Sequence, residues 1–316
     1  MKLRRCAVAC AGVAGGAGLL YLLQRAAARR WRASADELAA AGLSLPADLR
    51  HRFVATSDGG RIHVVERGEG PTFVLVHGIM LTVATWAPQL RGLNGRIVAI
   101  SQRGHGQSRA GSEGYTLERL AADLAEVLDD LDVRDAVLVG HSMGGMVSLL
   151  LALSRPEELA RHVRRLVLVA TTPGPIVAPR LAALAAAAAT HALSGAERRG
   201  RGPLPRAATV WASRTAFGAS ASRPDVELLR GMLDSMSPGP LAALLPHLLA
   251  FDVRDRLGAI ALPVHVVVGN RDVLTPQREA RKIAEGVPGA RLTVLAGCGH
   301  MVMLERAEAL RDLLAR

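Results

Sequence analysis

The stretch AVLVGHSMGGMVSLL, residues 136–150, changes character at one serine. Its first four residues form a continuous apolar run, as in a strand buried on both faces. After the serine, Met146, Val147, Leu150 and Leu151 recur with helical spacing. Between strand and helix, Gly140-His141-Ser142-Met143-Gly144 carries the G-x-S-x-G pattern. A serine on so sharp a turn holds a strained backbone that needs small neighbours, and Gly140 and Gly144 provide them. The helix beginning there points its positive end at the same spot, which favours a developing oxyanion. The pattern alone arises often by chance; strand before and helix after make Ser142 a nucleophile candidate.

A serine hydroxyl attacks poorly until a base removes its proton. Two downstream segments meet that need in the chain order Ser, acid, His. Asp272 follows an apolar run at 264–268, and His300 follows another at 292–295. Both residues then lie just past the C-terminal ends of parallel strands, the edge where open α/β sheets place their sites. His300 would take the Ser142 proton and return it to the leaving group, while Asp272 would hold the imidazole tautomer. The oxyanion needs two backbone N–H groups. Met143 offers one; the loop His77-Gly78-Ile79-Met80 offers the other through Ile79. His77, His105, His141 and His265 rival His300, but the first two sit in loops and His265 starts a strand, so a structural part fits them better. Asp252 and Asp255 lack the post-strand position of Asp272. Cys298 reads as a small packing residue rather than a redox thiol.

Further apolar runs at 52–55, 62–65, 73–76, 97–100 and 166–170 alternate with helical patterns, which indicates a mostly parallel sheet flanked by helices. Ser57-Asp58-Gly59-Gly60 between the first two runs predicts an antiparallel hairpin. Leu117, Leu120, Leu124, Val127, Leu128 and Leu131 predict an amphipathic helix with Thr116 as N-cap. The alternation stops over 172–256, which is Ala-rich, then Arg/Gly-rich, with no strand signal, and reads as a helical insertion.

At this point the residues resemble a family. His77-Gly78, Arg103-Gly104-His105-Gly106-Gln107-Ser108, the 140–145 stretch, Gly269-Asn270-Arg271-Asp272 and Gly299-His300 are similar, in order, to the landmarks of the α/β-hydrolase fold, in its esterase/lipase-like branch. One landmark departs: Ser101 stands where that family often has Asp. The resemblance implies an eight-stranded sheet and a helical cap after the sixth strand. Domain limits follow: a core over 51–171 and 257–316, a cap over 172–256, a linker over 33–50 and a separate segment over 1–32.

The net charge of +11 belongs mainly to that last segment. Residues 1–32 hold seven basic and no acidic side chains, leaving 32 basic against 28 acidic in the remainder. With aromatics at 3%, nucleic-acid binding finds neither a basic face nor stacking platforms. Residues 7–23 are uncharged, and as a helix would cover roughly 26 Å, just under a hydrocarbon core. A signal anchor forming an N-terminal hydrophobic helix, a cleaved export signal and a basic tail that never inserts all fit, the anchor best. Basic flanks on both sides leave sidedness open. No H-x-x-x-H or Cys-pair spacing points to a metal, and the expected chemistry needs no cofactor.

The expected function is therefore a serine hydrolase acting on a small-molecule carboxylic ester through an acyl-enzyme, leaning to apolar or lipid-like esters. Carbon–carbon hydrolases and perhydrolases share the triad; epoxide-hydrolase-like members use a carboxylate nucleophile, against which Ser142 argues. A non-catalytic ligand-binding member of the fold is the alternative of another class. The protein is expected at a membrane, or exported if the segment is cleaved.

Overall fold

The apolar runs pair into one eight-stranded sheet in the order β1-β2-β4-β3-β5-β6-β7-β8. The strands are β1 (Arg50–Ala55), β2 (Arg61–Arg67), β3 (Thr72–Val76), β4 (Arg96–Ile100), β5 (Ala136–His141), β6 (Val163–Val169), β7 (Val264–Gly269) and β8 (Arg291–Leu295). β1 and β2 form the expected antiparallel hairpin, β2 also runs antiparallel to β4, and every other neighbour is parallel. The structure, a computed structural model, describes residues 32–176, 178–200, 206–219 and 221–316. The apolar segment 7–23 lies outside the described residues. Among them no helix is long and apolar enough to cross a membrane.

The helices are α1 (Ala35–Ala40), α2 (Ala87–Gly92), α3 (Leu117–Asp130), α4 (Met143–Ser154), α5 (Pro156–His162), α6 (Pro179–Arg198), α7 (Arg206–Thr215), α8 (Arg223–Ser235), α9 (Pro238–Ala250), α10 (Gln277–Gly286), α11 (Val302–Glu305) and α12 (Ala307–Ala315). Strand alternation sorts the core into two layers. Val74 and Val76 of β3 pack with α3, α4 and α10 on one face, while Phe73 and Leu75 pack with α2, α11 and α12 on the other. α3 starts where Thr116 Oγ1 accepts the Arg119 N–H at 3.0 Å. Its buried Leu120, Leu124 and Leu128 stabilise the docking by about 2 kcal/mol apiece. Between β6 and β7 the described residues form four α-helices, α6 to α9, a short 3-10 helix at Arg254–Ala259 and no strand.

The stretch 33–50 is fastened down more firmly than a linker. Leu43 is buried, and Leu38, Leu45 and Leu49 pack against the same layer, so spaced leucines tie this stretch to the core.

Register places the site. Val76 pairs with Gly140, His141 with Val169, and Gly269 with Leu295. The loops that follow β3, β5, β7 and β8 therefore leave the same edge of the sheet.

Candidate active site

Ser142 sits between β5 and α4 with φ 52° and ψ −117°, a left-handed conformation that a side-chain-bearing residue holds only under constraint. The constraint is visible. Its N–H donates to Val169 O at 3.0 Å, and its carbonyl accepts the Thr171 hydroxyl at 2.7 Å. The flanking glycines are a matter of space: a Cβ on Gly140 would lie 2.5 Å from Gly144 O, and one on Gly144 would lie 2.3 Å from Val76 O.

His300 enters from the loop after β8. A Cβ on Gly269 would lie 2.2 Å from Cys298 O, so that glycine lets the β7 and β8 loops touch. His300 Nδ1 lies 2.9 Å from Asp272 Oδ2. The carboxylate only accepts, so Nδ1 carries the proton and Nε2 keeps its lone pair. Burial pushes the Asp272 carboxyl up, but the His300 ring and the Thr275 donors outweigh it and hold the group below the usual carboxylate range. Thr275 is a residue that sequence reasoning missed. Its N–H and hydroxyl both bond Asp272, at 2.9 and 2.7 Å, and the hydroxyl stands 3.2 Å from His300 Nδ1. The insertion also reaches this loop: His300 N–H donates to Ala216 O at 2.7 Å. Glu305 bridges Gly218 N–H and Gly299 N–H, at 2.8 Å each.

On the opposite side two buried histidines hold the loop after β3. His105 Nδ1–H donates to Arg103 O at 3.0 Å, so Nε2 is free to accept the Met80 N–H, also at 3.0 Å. His77 Nδ1–H donates to Gly78 O at 2.7 Å, and its Nε2 accepts the Gln102 N–H at 3.0 Å. Both peptides flanking Ile79 are thereby pinned. With every described peptide trans, pinning the Gly78 carbonyl turns the Ile79 N–H to the other side. That N–H meets no acceptor among the described residues, and the Met143 N–H, first in α4, has no intrahelical acceptor. Burial lowers both rings, His105 to about 4 and His77, with added repulsion from His105, to about 3. Both are neutral at physiological pH.

The remaining candidates are placed as follows. His141 is fully buried, with Nε2 3.0 Å from His300 O and its ring centroid 4.7 Å from that of His300. His265 bonds Thr293 across β7 and β8 at 2.8 Å. Asp252 pairs with exposed Arg254. Cys298 is buried, and burial pushes its thiol up to about 12, so the thiolate is disfavoured. Where the resemblance leads one to expect Asp, Ser101 Oγ lies 3.3 Å from His63 Nδ1, and the buried Arg103 is bound by Asp58 and Asp123 at 2.7 Å each.

Ser142, His300 and Ile79 share the wall of one cavity of about 580 Å³. Among the described contacts no hydrogen bond joins Ser142 Oγ to His300; such bonds commonly tighten only when a substrate fills the site. Leu229 and Leu233 of α8, Leu248 of α9, Met146 and Ile176 add to an apolar lining that, among the described residues, contains no Asp, Glu, Lys or Arg. Among the described residues no group of three or more His, Cys, Asp or Glu side chains is arranged to hold a metal ion.

Comparison with known proteins agrees with this architecture. The sequence profile of the alpha/beta hydrolase fold matches residues 71–307. A pimeloyl-[acyl-carrier protein] methyl ester esterase from Aeromonas hydrophila subsp. hydrophila is 30% identical over 264 residues, 79% of this chain and 96% of that relative. The non-heme chloroperoxidase CPO-A1 of Kitasatospora aureofaciens is 30% identical over 282 residues, 82% of this chain and 96% of its own. The crystal structure of a hydrolase from Pseudomonas aeruginosa PA01 superposes with a TM-score of 0.72 at 29% identity, covering 85% of this chain and 98% of that one.

Proposed function

The chain belongs to the alpha/beta hydrolase fold family, and from that membership we propose that it is a serine hydrolase cleaving apolar carboxylic esters through an acyl-enzyme. One observation carries the reading: Ser142, in its left-handed turn, shares a cavity with a histidine whose far nitrogen is hydrogen-bonded to a buried carboxylate. Ser142 Oγ attacks the ester carbonyl carbon and its proton passes to His300 Nε2. The carbonyl oxygen becomes an oxyanion facing the Ile79 and Met143 N–H groups. Asp272, held ionised by Thr275 and His300, steadies the imidazolium. Collapse breaks the C–O bond, and the alcohol leaves with the proton from His300. A water then gives its proton to His300, attacks the acyl carbon and releases the acid, restoring Ser142.

The uncharged lining supports a substrate without a charged group near the ester, since an unpaired charge there would be desolvated without compensation. The likeness to a chloroperoxidase supports a second reading, peracid formation by the same acyl-enzyme with peroxide in place of water. Segment 7–23, flanked by arginines, supports attachment to a membrane.

A fluorophosphonate probe should label the full chain, and Ser142→Ala should lose both labelling and hydrolysis of p-nitrophenyl esters. No labelling of the wild type would sink the serine-hydrolase reading. Hydrolysis confined to the shortest esters would sink the apolar preference. Deleting residues 1–32 should move the protein from the membrane to the soluble fraction; equal partitioning would refute attachment.

A further inference from the structure

Large apolar side chains exposed singly are ordinary; exposed together around one opening they mark a contact surface. Among the described residues seven such side chains are exposed: Phe53, Leu181, Leu184, Trp211, Val273, Leu274 and Val294. Phe53 is covered by the Arg61 guanidinium, 4.2 Å from its ring centroid, and Val294 lies on the edge strand β8. Of the other five, two line the cavity and three stand near wall residues along the chain. Val273 and Leu274 are part of its wall, and Trp211 directly precedes the wall residue Ala212. Leu181 and Leu184, 62% and 69% exposed, lie one turn apart at the start of α6, just after the wall residue Ile176.

The chain outside the described residues joins beside α8, a helix that lines the cavity. Arg223, first residue of α8, donates through Nε to the Arg32 carbonyl at 3.1 Å and pairs with Glu37 at 3.6 Å. Leu229, six residues or about 9 Å further along that helix, is in the cavity wall. Upstream of Arg32 stand Arg25, Arg29 and Arg30 and then the uncharged segment 7–23. Arg180, next to Leu181 at the start of α6, is exposed as well. Apolar side chains bordered by arginines match one occupant: the surface of an anionic lipid bilayer.

We infer that the cavity rim formed by Leu181, Leu184, Trp211, Val273 and Leu274 docks on an anionic bilayer, with the N-terminal segment tethering that face to it. An apolar ester then passes from lipid to Ser142 without crossing water. The tether and the delivery of an ester rest on the proposed function; contact of the rim with lipid does not.

The test uses the full chain carrying Ser142→Ala, so that no turnover occurs, and Trp31→Phe. Changes in emission then report Trp211, because the third tryptophan, Trp86, is fully buried and adds a constant background out of reach of the lipid. With vesicles of phosphatidylcholine and phosphatidylglycerol whose acyl chains are brominated, Trp211 emission shifts to the blue and is quenched severalfold. Leu181→Asp with Leu184→Asp should leave the chain floating with the vesicles while most of the quenching is lost. A chain that floats with Trp211 unquenched, or that does not float at all, overturns the docking, as does self-association through this face in place of vesicle contact. Fluorophosphonate labelling of the chain with Ser142 intact reads the hydrolase activity separately.

Discussion

Acid should unlock the loop that carries the Ile79 N–H, and the two histidines that hold it set the pH range. In the folded protein burial lowers His105 to about 4 and His77 to about 3. Once unfolded, both return to about 6.5. Between pH 6.5 and about 4 the unfolded chain binds protons that the native chain does not, so native stability falls as the pH falls through that window. Above 6.5 neither group contributes a slope. From pH 7 to 4.5 each imidazole accounts for about two pH units at 1.36 kcal/mol, so the pair costs roughly 5 kcal/mol. That is comparable with the whole stability of a typical domain, about 5–15 kcal/mol. The perturbation is His105→Gln, which removes one titration. It should cost about 1–3 kcal/mol at pH 7 by leaving the Met80 N–H without its acceptor. Between pH 7 and 4.5, however, it should lose about 2.7 kcal/mol less than the wild type. Urea unfolding at three pH values measures both quantities. Parallel pH dependence of variant and wild type would refute the imidazole account. A freed Ile79 peptide should also lower kcat by up to about a hundredfold with little change in KM, the signature of an interaction made in the transition state.

Arg103 is fully buried between Asp58 and Asp123, so Arg103→Met should strip Asp58 of its cation, leave Asp123 with Arg119 alone, and lower stability by about 3–5 kcal/mol, read as a fall in Tm. Asp272→Asn should keep the fold yet reduce kcat by about 10⁴, because the neutral amide no longer selects the Nδ1–H tautomer of His300. Leu233→Trp, in the cavity wall, should slow hydrolysis of long-chain p-nitrophenyl esters about tenfold or more relative to the acetate; an unchanged ratio would place the acyl chain elsewhere.

Much of the fold was legible because strand signals are local. Each of the eight apolar runs became a strand, with ends displaced by at most three residues, as Val163 for 166 in β6 shows. Ser142 was legible for the same reason: its strain, small neighbours and strand-to-helix context all lie within ten residues. The groups that position the site were not. Thr275 carries no mark distinguishing it from other loop threonines, yet it gives Asp272 two hydrogen bonds. His77 and His105 read as loop landmarks, while their task depends on pairing with Gln102 and Met80, each 25 residues away. The hold of Ala216 on the His300 backbone joins the insertion to the loop after β8, a contact that neither segment's periodicity encodes.

What the sequence determined by itself is thus a mostly parallel sheet, a strained serine at the end of its fifth strand, and an acid and a histidine in the order that the proposed chemistry needs. Hydrophobic period and glycine placement decide these, because both act through nearest neighbours along the chain. Only the tertiary structure decided which imidazole nitrogen carries its proton, which peptides are pinned beside Ile79, and that the described wall of the cavity is free of charge. Those properties come from side chains far apart in sequence meeting in a region without water, where each polar atom must find a partner or lose its charge.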